Sequence, residues 1–94
     1  MDLNYVDKIV SELENALDDC EVDLLRYYAL LALTLGAAVT EEDVHDAWSV
    51  WRTATKPDHA SLVPFSDLSP EVQALDTTYA DAIRTVAKKI VTEG

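Results

Sequence analysis

The side chains with most chemistry to offer are His45, His59, Trp48, Trp51 and Cys20. The two histidines could join Asp43, Asp46 or Asp58 around a metal, but no ligand pair has a zinc-type spacing such as His-x-x-x-His. His45 and Asp46 are adjacent, so on a helix they point to different sides. We read His45 as a helix-face residue and His59 as a loop residue held by a hydrogen bond, and expect neither a metal nor a cofactor. Cys20 sits among Asp18, Asp19, Glu21 and Asp23, whose charges raise a thiol's pKa and suppress the thiolate. There is no Gly-x-Ser-x-Gly elbow and no glycine-rich loop to cradle a phosphate. The expected chemistry is binding; an enzyme is not expected.

Trp48 and Trp51 are three apart and share a helix face. Core packing is the default role for such a pair. The other role is a wall of an aromatic ligand pocket with Tyr27, Tyr28 and Phe65, since aromatic side chains with a few polar groups make typical small-ligand sites. Arg52 and Lys56, at the exit of that helix, are the bases placed to meet an anionic ligand. On the surface they would simply offset Glu41–Asp46 and Asp58. The candidate ligand set is Trp48, Trp51, Arg52, His59 and Phe65.

Four helices must position these residues. From Asn4 to about Asp18, Val6, Ile9, Val10, Leu13, Ala16 and Leu17 recur at helical spacing with acids between them. Asp18 and Asp19 have the wrong sign for a helix C-terminus, which predicts a break near Asp19–Glu21. A second helix follows from about Val22 to Leu35, with acids at its start and Gly36 where a left-handed cap is wanted. It is apolar almost all round, as in a helix that is central in a bundle or lies at a subunit interface. Tyr27, Tyr28 and Leu31 are its candidate interface residues, and Arg26 must reach solvent or an acid.

Thr40-Glu41-Glu42-Asp43 is a helix start with a reciprocal capping box, and Pro57 ends that third helix near Thr53–Lys56. Residues 57–68 read as a structured loop with a tight turn at Ser66–Leu68. Ser69-Pro70-Glu71 then opens a last helix, in which Val72, Leu75, Tyr79, Ile83, Val86 and Ile90 repeat at three and four residues. The expected fold is an all-α bundle of about four helices in a single domain over residues 1–94. A helical pair occupies 1–38 and a helix-loop-helix unit occupies 40–92.

With 18 acidic and 7 basic residues, the formal charge of −11 repels phosphate backbones and anionic membrane surfaces. The longest apolar tract, Tyr27 to Val39, is shorter than the roughly 20 residues a bilayer span needs. No basic region precedes an apolar run at the N-terminus, and the single cysteine forms no internal disulfide. A cytoplasmic protein is expected, with direct contact to neither nucleic acid nor membrane. At 94 residues its burial is modest, which favours self-association.

The order His45-x-x-Trp48, His59-x-x-Leu62-Val63-Pro64-Phe65-x-x-Leu68 and Asp76 resembles the ryanodine-receptor-type repeat, the RyR domain, over residues 40–90. The Gly-Trp-x-Tyr-Gly segment usual in that family is missing, and only Arg52 to Asp58 separate Trp51 from His59. The chain is also similar to small proteins of actinobacterial phages. The resemblance there lies in Tyr27–Leu33, Val39–Trp48 and His59–Phe65. The first resemblance implies binding of a nucleotide-derived signal; the second implies a phage origin and the host cytoplasm.

The leading expectation is a protein-interaction role, by self-association or capture of a host factor, through the over-apolar second helix. Sequestration of a nucleotide-type small molecule is the second. Mimicry of DNA by the acidic residues 2–23 is the third.

Overall fold

Three of the helix starts follow a short polar side chain: Asn4, Thr40 and Ser69. The computed structural model describes residues 4–17 and 20–93, the last three of these as helix backbone alone. Helix α1 (Tyr5–Ala16) starts where Asn4 Oδ1 accepts the Asp7 amide at 2.8 Å. It ends two residues short of the expected Asp18, because Leu17 turns extended and is buried in the core. Asp18 and Asp19, on which the predicted break was argued, lie outside the described residues, as does Asp2 of the acidic segment.

Helix α2 (Val22–Thr34) is followed by a 3-10 turn, Gly36–Ala38. Gly36 there has φ of 59°, a left-handed conformation in which a side chain would be strained. Helix α3 (Glu41–Thr55) carries the complete capping box. The Asp43 amide donates to Thr40 Oγ1 at 3.2 Å, and the Thr40 amide donates to Asp43 Oδ2 at 2.9 Å. The loop closes with a second 3-10 turn, Phe65–Asp67, and the long helix α4 (Pro70–Glu93) completes an all-α bundle. No strand occurs among the described residues, and no described helix is long and apolar enough to cross a membrane.

Helix α2 is central, packing against α1, α3 and α4. Its rows Leu24–Tyr28–Ala32 and Leu25–Ala29 therefore face inward, and Ile9, Leu13, Val39, Val44, Ala80, Ile83 and Val86 close the core around them. This placement corrects the role expected of Tyr28. Only 2% exposed, its side chain lies in the interior and not on the outer face of α2, where a second chain would dock. Leu31 is half-buried against the core, whereas Tyr27 lies at the surface with Leu30, Leu33 and Leu35.

Helix α4 is locked to the α3 start by Arg84. Its Nε donates to the Val39 carbonyl at 2.7 Å, and its Nη2 reaches Glu41 Oε1 at 2.6 Å. Lys89 pairs with Glu12 at 2.7 Å, tying α4 to α1.

Candidate functional site

On α3, His45, Trp48 and Arg52 recur at three and four residues and so line one side of the helix. On α4, Val72, Asp76 and Tyr79 do the same, and on α2 Leu24 and Tyr28 supply the floor. Where these three rows diverge they leave a cleft of about 470 Å³. Cys20 and Glu21, from the segment before α2 and its cap, and the loop residues His59 and Ser61 also line it. Leu75, 64% exposed, lines it as well.

His45 is 3% exposed, the sole buried polar side chain among the described residues. Its Nε2 lies 2.6 Å from the Val63 carbonyl oxygen. A carbonyl only accepts, so this nitrogen carries the proton, and Ser49 Oγ is a more distant neighbour at 3.4 Å. The opposite nitrogen, Nδ1, stands 4.0 Å from Asp76 Oδ2. That separation exceeds a hydrogen bond, and the contact attracts only while the imidazole carries a second proton.

The aromatic rings pack in two groups, one around Trp48 and one at Tyr28 and Tyr79. Trp48 lies 5.6 Å from His45, nearly parallel, and meets His59 edge-on at 5.1 Å. His59 Nδ1 accepts the Ser61 amide at 3.0 Å, the loop-holding hydrogen bond expected of it. Tyr28 and Tyr79 pack tilted at 5.8 Å across the floor. The Arg52 guanidinium covers Trp51 at 4.5 Å and Trp48 at 5.8 Å, and its buried Nε has no hydrogen-bond partner among the described residues.

Burial pushes the Asp76 carboxyl above its ordinary range, against the opposing pull of His45 and with a smaller push from Glu41. Burial, with Glu21 beside it, also raises the Cys20 thiol, which keeps it protonated and a poor nucleophile. The Tyr28 hydroxyl is raised chiefly by burial. Among the described residues no three His, Cys, Asp or Glu side chains converge as they would around a metal ion.

Of the five candidate ligand residues, Trp48, Trp51, Arg52 and His59 line this cleft. Phe65 does not. Its ring tilts against His45 from outside at 6.1 Å and borders a separate depression with Thr40, Glu41 and Gln73.

Residues 4–88 match a domain of unknown function, DUF7701. The chain belongs to the DUF7701 family. No curated protein and no solved structure matches it.

In this DUF7701 chain, sequence reasoning missed Asp76, Tyr79 and Cys20 as cleft residues. For Asp76 a signal was present: it is an acid inside the inward-facing stripe Val72–Tyr79, where burial of an unpaired carboxylate is unfavourable. Cys20 gave no such signal, because it reaches the cleft from the segment between α1 and α2.

Proposed function

We propose that this protein is a non-enzymatic binding module whose cleft between α2, α3 and α4 takes a small planar molecule. The observation that carries this reading is the aromatic wall. Trp48, Trp51, Tyr28 and Tyr79 surround a space of small-ligand size that also holds a few polar groups. The side chains with potential reactivity are engaged or quiet: His45 Nε2 is committed to a backbone carbonyl and the Cys20 thiol is raised. A nucleotide-derived molecule, implied by the RyR resemblance, is one member of the class that such a wall accepts.

Native mass spectrometry of the freshly purified protein, set against its denatured mass, tests this reading. A small molecule lost on denaturation, and absent from a Trp48→Ala variant, is the expected result. The same bound mass in that variant would place the ligand elsewhere.

One observation favours a second reading, self-association. Tyr27, Leu30 and Leu33 lie at three-residue spacing on the outer side of α2, with Leu30 54% exposed. Tyr27 and Leu30 border a shallow depression with Trp51 and Ala54. A clean oligomer with no extra mass in the same experiment would favour that surface over the cleft.

A further inference from the structure

We propose that the cleft selects planar ligands bearing a protonated or amino nitrogen, an amidine-like edge, and that Asp76 is the group that recognises it. This inference rests on the reading of the cleft as a ring-binding site. Asp76 lines the cleft half-buried, yet among the described residues no group donates a hydrogen bond to its carboxylate. The ion-pair neighbour that faces it among the described residues is the His45 imidazole, 4.0 Å away and charged only when doubly protonated. A partly desolvated carboxylate with no protein donor keeps its acceptor capacity free for a ligand. Burial holds that carboxyl above its ordinary range.

The charges around the space point the same way. Glu21 and Asp76 line it against Arg52 alone, in a protein of net charge −11. The Arg52 guanidinium is already engaged over Trp51 and Trp48, with its Nη1 turned toward Thr55 Oγ1 at 3.4 Å. An anionic ring would meet two carboxylates and one cation, Arg52, which already lies over Trp51 and Trp48 although its buried Nε lacks a partner among the described residues. A cationic or amino-bearing ring meets aromatic faces, which attract positive charge, and a carboxylate able to accept two parallel N–H bonds.

Three rings of nearly one shape separate the possibilities: benzamidine (cationic), benzamide (neutral) and benzoate (anionic). Each is titrated into the full chain while tryptophan fluorescence and amide chemical shifts are followed. Benzamidine is expected to bind at least about tenfold more tightly than either of the others, the scale of one charge-assisted pair in a partly desolvated site. Asp76→Asn should erase that preference while ring binding persists. Equal binding of benzamidine and benzoate by the unaltered protein would overturn the role of Asp76 and leave the cleft reading standing. A preference unchanged in Asp76→Asn would do the same. If none of the three rings shifts the Trp48 or Trp51 signals, the cleft reading itself fails, and this inference with it.

Discussion

His45 donates from Nε2 to the Val63 carbonyl at 2.6 Å, so one buried side chain of α3 anchors the loop that carries His59 and Ser61 into the cleft. The bond crosses 18 residues of sequence and joins a helix interior to a segment with little regular structure of its own. Loops are normally the more mobile parts of a chain, and this one is pinned at the position where the aromatic stack needs it.

His45→Ala should therefore destabilise the protein by about 2–4 kcal/mol, combining a lost buried hydrogen bond with the space left behind. Urea unfolding measures the total. Hydrogen exchange should show its largest local increase at the Ser61 and Leu62 amides, which donate within the loop to His59. Exchange that rises uniformly over the bundle instead would mean that His45 supports the core and not the loop.

Asp76 makes stability depend on pH with a definite sign. Its folded carboxyl lies above the ordinary value, so the unfolded chain releases the proton first as pH rises. Stability falls as pH climbs from the ordinary carboxyl range through the folded value, and the deficit persists above it. His45 and Glu41 on α3 and Tyr28 on α2 are the titratable groups that face it. Asp76→Asn should be more stable than the parent at neutral pH, and the difference should vanish in acid. A gain that is the same in acid and at neutral pH would assign the effect to packing.

Arg84 works in the opposite direction through Glu41. The hydrogen bond from the guanidinium holds the Glu41 carboxyl below its usual range. This contribution is present above the ordinary carboxyl value and is lost as pH falls through the folded one. Arg84→Met should lower the melting temperature at neutral pH, and salt should narrow the gap, because the pair is partly exposed. A gap insensitive to salt would leave the bond to the Val39 carbonyl as the whole effect.

Two leucines of α2 should behave differently although they are five residues apart. Leu25 is fully buried and Leu30 is mostly exposed. Leu25→Ala should cost about 2–5 kcal/mol. Leu30→Ala should stay within roughly 0.5 kcal/mol, as surface substitutions usually do. If the outer face of α2 is an interface between copies, Leu30→Glu should shift light-scattering mass to that of a monomer without loss of helix. An unchanged mass in the parent and the variant would remove that face from consideration.

The helices and their starts were legible in the chain because they rest on short-range physics. The Thr40–Asp43 box, the left-handed Gly36 and the proline-led start of α4 each depend on residues within one turn. The membership of the aromatic site was half legible for the same reason: Trp48, Trp51 and Arg52 share a helix, and their spacing carries them to one side. What the tertiary structure decided is which sides of different helices meet. It turned Tyr28 inward, because α2 is enclosed on three sides, and turned Phe65 away from the cleft. It also brought Asp76 and Cys20 to the same space as His45, across separations that no periodicity encodes. Helical periodicity fixes a side chain's direction relative to its own axis; only the packing of α2, α3 and α4 fixes what stands opposite.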